Sequence, residues 1–233
     1  MKAAPDIRTA EWVVTGLRGF AESVLSIVPC GFPAYVRVFH PAYRRVGATS
    51  ARVRWQDVAA ANQTHAHAGM QLNALTGSYH FINHAQPGIF DQPPFVGALP
   101  NELFAQLAVA LARHTSTPER CWFSIWTGFG AIPSDVRAAP TFSTREREYH
   151  LLAASAADAV EDVRKMSTLP PINLWWPDDR AWCVATEIDL NTTYVGCDDA
   201  TRDEILVLPR VEDLAIDPQT GIGWDSDHLN PLV

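Results

Sequence analysis

The chain has 233 residues, of which 47% are hydrophobic and 19% charged, and this composition excludes intrinsic disorder and collagen-like repeats. Its formal net charge of −8 is unevenly placed, because the last 65 residues contain 3 basic and 13 acidic residues and so carry a net charge of −10. No basic domain stands out, which disfavours a nucleic-acid partner.

The first half of the chain is predicted to be mainly helical. Apolar residues at helical spacing predict a short helix over residues 9–20, and a second helix is expected over 55–62. Between them, a run of β-forming residues over 34–40 predicts a strand that Pro41 ends. The clearest helix begins at residue 100 or 101 and runs to about 114, because its leucines and Phe104 form one apolar stripe.

A long segment between these helices contains no charged side chain. Residues 58–90 lack Asp, Glu, Lys and Arg but contain four of the eight histidines, namely His65, His67, His80 and His84. Glycine and proline in its second half indicate a long irregular connection over about 63–99. Such a connection is typical of a binding loop or lid, and simple disorder is the alternative.

The second half is predicted to supply most of the sheet. Period-two patterns predict strands over 121–126, 147–153, 173–176, 181–190, 193–197 and 211–216, with helices over 156–165 and about 200–208. Helices gathered near the front and strands gathered after residue 120 predict a single α+β domain over 1–233. In this fold, a largely antiparallel sheet from the second half packs against helices mostly from the first half. An acidic tail follows over about 217–233.

Two stretches resemble an uncharacterised family of bacterial proteins of similar length. They are the run from Asn173 to Trp182, with Thr193–Gly196 after it, and the run from Arg37 to Tyr43. This family has no known activity, so the resemblance implies no site residues. The order of hairpin, helix and short strand in residues 181–216 is also similar to the SUKH group of toxin-immunity proteins, which implies an α+β layout.

The densest candidate binding segment lies within the first of these stretches. Trp175, Trp176, Asp178, Asp179 and Arg180 place indoles, carboxylates and a guanidinium together at the end of a predicted strand. Trp and Arg are the residue types that anchor interfaces, so the segment is a candidate partner-binding surface. Core tryptophans followed by an Asp-capped turn would produce the same pattern.

A second candidate is rich in arginine. Residues 23–56 contain no acidic residue and five arginines, which are Arg37, Arg44, Arg45, Arg52 and Arg54. These side chains are typical of a site for an anion or a phosphate ligand. Neutralisation by the acidic C-terminal quarter is the alternative interpretation.

An enzymatic site would have to combine residues from distant parts of the sequence. A hydrolase is the enzymatic alternative, with His40, His67, Asp178 and Asp179 as the catalytic candidates beside Arg37. His65 and His67 could share a metal ion only if their segment is extended, because two residues apart on a helix they diverge. No motif indicates a cofactor.

Cysteine usage and the apolar runs predict the compartment. Cys30, Cys121, Cys183 and Cys197 are far apart and form no C-x-x-C pair, so we expect buried free thiols. No signal-peptide-like stretch follows Met1, and no apolar run approaches the roughly 18–20 residues of a membrane span. We therefore expect a soluble, cytoplasmic protein with no membrane association.

The sequence favours a binding protein over an enzyme. The leading hypothesis is a non-enzymatic interaction module of the immunity or antitoxin kind, which binds a basic protein through an acidic, tryptophan-containing C-terminal surface. The alternatives are a small-molecule hydrolase and a protein that binds a phosphate ligand in a His/Arg/Asp cleft.

Overall fold

The computed structural model describes residues 1–78, 84–145, 147–165 and 169–230. The predicted α+β class is confirmed, and every strand pairing among the described residues is antiparallel. The strands are β1 (Lys2–Ala3), β2 (Ala34–Phe39), β3 (Ala42–Val46), β4 (Thr49–Val53), β5 (Cys121–Trp126), β6 (Thr141–Ser143), β7 (Glu148–Ala154), β8 (Leu174–Pro177), β9 (Cys183–Ala185), β10 (Thr192–Cys197) and β11 (Glu212–Ala215). The α-helices are α1 (Glu11–Gly16), α2 (Trp55–Asn62), α3 (Leu72–Thr76), α4 (Asn101–Leu111), α5 (Ser134–Arg137), α6 (Ala156–Lys165) and α7 (Asp199–Ile205).

One sheet organises the described part of the chain. Its strand order is β1-β7-β5-β8-β9-β10-β2-β11, with β6 also paired to β7, and β3 and β4 form a separate hairpin. The early strand β2 lies between two late strands, because Arg37 pairs with Tyr194 of β10 on one side and with Leu214 of β11 on the other. The sheet therefore joins the two ends of the chain.

The two faces of the sheet are buried by different elements. On one face, Val36, Val38 and Trp175 pack with the apolar stripe of α4 and with α6 and α7. On the opposite face, Trp176 and Tyr194 pack with α1 and the 3-10 turn Val24–Ser26. A third cluster surrounds Trp55 of α2 and extends to α3 and Phe90. Since both faces are covered, strands such as β2 are apolar almost throughout rather than alternating.

The sequence-based prediction differs from the structure in several places. The predicted helix 9–20 is reduced to α1, and β1, β6 and α5 were not predicted. The predicted strand 181–190 is reduced to β9, because Glu187 and Asp189 form a turn in which the Asp189 N–H donates to the Glu187 carboxylate at 2.6 Å. The β3–β4 hairpin was not predicted. The connection 63–99 contains α3 and buried Met70 and Phe90, so its described part is packed, while residues 79–83, including His80, lie outside the described residues.

The acidic C-terminal segment is also packed rather than solvated. Ile222, Asp227 and Asn230 are buried. The Asp227 carboxylate accepts hydrogen bonds from the Asn230 N–H at 3.0 Å and the Gln71 N–H at 3.1 Å, which fastens residues 217–230 against the loop before α3. None of the described helices combines the length and the apolar character that a bilayer crossing requires.

Candidate functional site

The tryptophans of the predicted binding segment belong to the core. Trp175 and Trp176 are 1% and 0% exposed and lie on opposite faces of β8, so their side chains are not available to a partner. Trp182 is equally buried, and its indole N–H donates to the Leu111 carbonyl at 2.9 Å, which ties the sheet to the end of α4. These three side chains are therefore core tryptophans followed by a turn, which was the alternative to a partner-binding surface.

The charged residues after β8 form that turn. Asp178 pairs with Arg120 at 3.0 Å, and Asp179 accepts hydrogen bonds from the N–H and the hydroxyl of Ser116 at 2.7 and 2.8 Å. Partial burial opposes ionisation, but the hydrogen bonds from Ser116 and Thr115 outweigh it and lower the pKa of Asp179. Arg180 adopts a left-handed backbone (φ 59°), and its guanidinium lies over Trp12. These contacts make the turn a structural junction.

Arg37 is a buried guanidinium that pairs with carbonyls instead of a carboxylate. Its Nη1 donates to the carbonyls of Ala68 and Met70, both at 2.8 Å. Burial lowers the pKa of Arg37, and the faces of Phe39 and Trp55 lie 4.8 and 5.6 Å from the guanidinium carbon. Arg37 therefore anchors the loop before α3 to the sheet and presents no surface to a ligand.

His40 is held in the core as a neutral imidazole. Burial lowers its pKa to about 4. Nδ1 lies 2.8 Å from the Phe95 carbonyl, which can only accept, so Nδ1 carries the proton. Nε2 then accepts from the Thr193 hydroxyl at 2.9 Å, and Thr193 accepts from the Thr186 hydroxyl at 2.7 Å. The hydrogen bonds thus fix one tautomer.

The structure does not bring the hydrolase candidates together. His40 and Arg37 point to opposite faces of the sheet, because His40 bonds Thr193 beside the α4 face and Arg37 contacts the loop before α3. Asp178 lies four residues beyond Leu174, and Leu174 is three strands away from Arg37 in the register. At about 4.8 Å per strand and 3.3 Å per residue, that separation is roughly 19 Å. Among the described residues, none of these candidate side chains lines the cleft beside β8 and β9 or the cleft beside β4.

The two loop histidines have separate partners. His65 and His67 lie in the irregular segment after α2, which ends at a left-handed Gln63 (φ 59°). The His65 N–H donates to the Asn230 side chain, whereas His67 Nε2 is 2.9 Å from the Asp227 carboxylate. Among the described residues, no group of three or more His, Cys, Asp and Glu side chains is arranged to hold a metal ion.

The cysteines are free, as the sequence predicts, and three of them are buried. Burial raises the pKa of Cys121 and Cys197 to about 12, and it also raises the pKa of Cys183. A thiol of this kind is not ionised near neutral pH, and the thiolate is the nucleophilic form. These three cysteines are therefore core residues.

A cleft that the sequence did not predict opens beside the central strands. It has a volume of about 140 Å³, and its walls are mainly apolar, from Leu17, Ile27, Leu174, Leu190 and Ile222. The loop before the turn Val24–Ser26, the ends of β8 and β9 and the C-terminal segment meet here. Asn173 orders this meeting point, because its amide donates to the Thr186 carbonyl and accepts from the Trp126 N–H. The walls come from four distant parts of the sequence, which explains why no local pattern indicated the cleft.

The edge of this cleft is charged. Arg147 lines it and pairs with Glu187 at 3.0 Å and with Asp189 at 2.8 Å. Two more carboxylates lie next to lining residues without lining the cleft themselves, since Glu22 lies against Gly19 and Asp225 lies against Gly223. With these two and Arg145, the charged groups at and beside the edge are four acids and two arginines. We call this region the acidic-rim cleft.

Half-exposed aromatic rings stand at the same edge. Phe20 lines the acidic-rim cleft and is 49% exposed, and Trp224, which follows the lining residue Gly223, is 45% exposed. Trp224 is therefore the tryptophan that the C-terminal quarter offers at the surface.

Most other acids of the C-terminal quarter are already paired within the fold. Glu204 pairs with Arg113 and with His114, Asp199 and Asp203 pair with Arg202, and Glu212 accepts from the first N–H groups of α2. Arg52 and Arg54 pair instead with Glu102 and Asp57, which lie outside this quarter. The acid-rich and arginine-rich segments thus do not neutralise each other through ion pairs among the described residues.

Comparison with protein-family models, with curated proteins and with solved structures returned no match. The resemblances described for residues 37–43 and 173–196 and for the element order of 181–216 therefore stay predictions.

Proposed function

We propose that this protein is a non-enzymatic binding protein of the immunity or antitoxin kind, and that it binds a basic protein partner at the acidic-rim cleft. The observation that carries the proposal is the combination of an apolar cleft, an excess of carboxylates at its edge and two half-exposed aromatic rings beside it. An apolar pocket with a charged rim is the usual anatomy of a recognition site.

The rim favours a cationic partner. Glu187 and Asp189 share the single guanidinium of Arg147, and neither Glu22 nor Asp225 forms an ion pair with any residue that the structure describes. A lysine or arginine of the partner would lie against these carboxylates, while an apolar side chain next to it enters the cleft. Phe20 and Trp224 would then lose their exposure to water, which adds apolar burial at the centre of the contact.

The chemistry of the other candidate residues supports a binding role over a catalytic one. His40 is neutral and enclosed, three of the four thiols are buried, and Asp178 and Asp179 form part of a turn. These groups stabilise the fold, and none of them lines the acidic-rim cleft.

A random-peptide phage library selected on the immobilised protein tests the proposal. We expect enrichment, at 50 mM NaCl, of peptides that place Lys or Arg beside an aromatic or aliphatic residue. Binding of a synthetic copy of an enriched peptide should weaken about tenfold in the double variant Glu22→Gln/Asp225→Asn, because two carboxylates of the rim become neutral. Phe20→Ala should weaken it by a similar factor.

The matched control is the double variant Asp199→Asn/Asp203→Asn on α7. It changes the net charge by the same amount, and both side chains are mostly exposed, but α7 contributes no residue to the lining of the cleft. This control should bind the peptide as the unmodified protein does. Equal loss in both double variants, or enrichment of acidic peptides, would contradict the proposed site.

A further inference from the structure

A second cleft lies on another part of the molecule, where the β3–β4 hairpin meets the turn before β11. Its volume is about 480 Å³, and its lining combines three arginines (Arg52, Arg54 and Arg210) with three carboxylates (Asp57, Glu102 and Glu212) and a few apolar side chains. Arg52 and Arg54 are near neighbours at the end of β4, and the fold brings Arg210, from the last quarter of the chain, to the same opening. We call this region the arginine cleft.

Each guanidinium of the arginine cleft is held differently. Arg52 Nη1 donates to the Arg210 carbonyl at 3.1 Å, which supports the left-handed backbone of Arg210 (φ 63°), and Nη2 pairs with Glu102. Arg54 makes a two-pronged contact with Asp57 at 3.0 and 2.9 Å. The Arg210 guanidinium forms no ion pair with any residue in the described ranges. Of the three arginines, Arg210 is thus the one without an ion pair among the described residues.

The three carboxylates that line this cleft leave the arginines accessible. The side chains of Glu102 and Asp57 are 56% and 49% exposed, and ion pairs of such exposed groups are weak and readily exchanged. Glu212 is occupied elsewhere, because its two oxygens accept from the Trp55 and Gln56 N–H groups at 2.6 and 2.8 Å. An anion with more charge than one carboxylate can therefore compete for Arg52 and Arg54 and also engage Arg210.

We propose that the arginine cleft binds a small molecule that carries a phosphate group on an apolar body. Guanidinium groups match phosphate oxygens in geometry and charge, and three of them suit a doubly charged phosphomonoester. Half-buried Val211 also lines the cleft and provides apolar surface for the rest of the ligand. A long polyanion is disfavoured, because the net charge of −8 repels it. This site is independent of the acidic-rim cleft.

Calorimetric titration with adenosine monophosphate, pyrophosphate and adenosine tests the proposal. We expect the monophosphate to bind and adenosine, which lacks the phosphate, to bind at least tenfold more weakly. Arg210→Gln should weaken monophosphate binding about tenfold, because it removes the cation that has no ion pair among the described residues. Arg45→Gln is the matched control, because it removes the same charge at an exposed position. Arg45 lies on the β3–β4 hairpin and does not line the cleft.

A second variant distinguishes a phosphate site from general attraction to arginine. Glu102→Gln removes the carboxylate that competes for Arg52 and should tighten monophosphate binding about threefold. The variant Glu22→Gln/Asp225→Asn should leave it unchanged, since those residues belong to the other cleft. The proposal is overturned by no heat of binding with either phosphate probe, by equal losses in Arg210→Gln and Arg45→Gln, or by a twelve-nucleotide DNA strand that binds more tightly than the monophosphate.

Discussion

A single residue, His40, makes the stability of the fold depend on pH below neutrality. Its imidazole is enclosed and accepts from Thr193 in the neutral form, so the folded state disfavours the second proton. The unfolded chain takes up that proton near pH 6.5, whereas the folded protein takes it up only near pH 4. The contribution of His40 to stability is therefore complete above pH 6.5 and is lost as the pH falls towards 4.

We expect the free energy of unfolding to fall by about 3 kcal/mol between pH 7 and pH 4 on account of His40 alone. The reason is that the pKa of His40 is 6.5 in the unfolded chain and about 4 in the folded protein. In His40→Gln the amide can keep both hydrogen bonds without titrating. Urea unfolding at several pH values should show a flatter profile for this variant. An unchanged pH profile in His40→Gln would refute the assignment.

Asp213 makes the stability of the fold depend on pH in the opposite direction from His40. Burial, with the charge of neighbouring Glu212, raises its pKa to about 7, and its Oδ2 has no hydrogen-bond partner within the described structure. The unfolded chain ionises near pH 3.8, so stability is lost as the pH rises towards 7 and stays reduced above it.

Asp213→Asn should therefore raise the melting temperature at pH 8 and have little effect at pH 4, because at low pH both side chains are neutral. Thermal unfolding at the two pH values measures the difference. Asp203→Asn, an exposed acid on α7, serves as the control and should give no such pH-dependent gain. A stabilisation of Asp213→Asn that is equal at both pH values would count against the pKa shift.

At the scale of elements, the C-terminal segment 217–230 is fastened by several contacts, and the Asp227 carboxylate gathers many of them. Asp227 accepts from His67, from the Gln71 N–H and from three donors of Leu229 and Asn230. Burial favours the neutral acid, but these hydrogen bonds outweigh it and lower the pKa of Asp227. Because Ile222 of this segment forms a wall of the acidic-rim cleft, the shape of that cleft depends on Asp227.

Asp227→Ala should cost about 3 kcal/mol or more, because it leaves several buried donors without an acceptor. Asp225→Ala, two residues earlier and without an ion pair in the described structure, should cost less than about 0.5 kcal/mol. Urea unfolding gives both values, and hydrogen exchange should show faster amide exchange over residues 217–230 in Asp227→Ala. Equal costs in the two variants would contradict this role.

Local sequence patterns predicted the bounds of helices and strands well where tertiary contacts did not end the element early. The helices 55–62 and 156–165 and the strand 121–126 have the predicted bounds. The strand 181–190 was overextended, because alternation continues through Thr186 although hydrogen bonds to Asn173 and within the Glu187 turn end the pairing. The acidic-rim cleft could not be predicted, since Phe20, Arg147 and Ile222 meet only through tertiary structure.

At the scale of the whole molecule, the acidity of the C-terminal quarter is partly used within the fold. Arg113, Arg120 and Arg147, all from the middle of the chain, pair with acids of this quarter. Among the acids that form no ion pair within the described residues, Glu22 and Asp225 stand beside the acidic-rim cleft. Together these two carboxylates add a local negative field next to the cleft.

A local field of this kind acts mainly on association. For a basic peptide selected on the protein, we expect the association rate constant to fall at least tenfold between 50 and 500 mM NaCl and the dissociation rate constant to change less. Surface plasmon resonance at the two salt concentrations measures both. An association rate that does not depend on salt would argue against steering by the rim.

The position of β2 has a consequence for how the protein is made. Its hydrogen-bonding partners on both sides, β10 and β11, are synthesised only after residue 191. Until they leave the ribosome, the apolar strand around Val36 and Val38 has no sheet neighbour, and such non-local pairing slows folding. We therefore expect the nascent chain to need a chaperone over most of its synthesis and to complete its central sheet only near the end of translation.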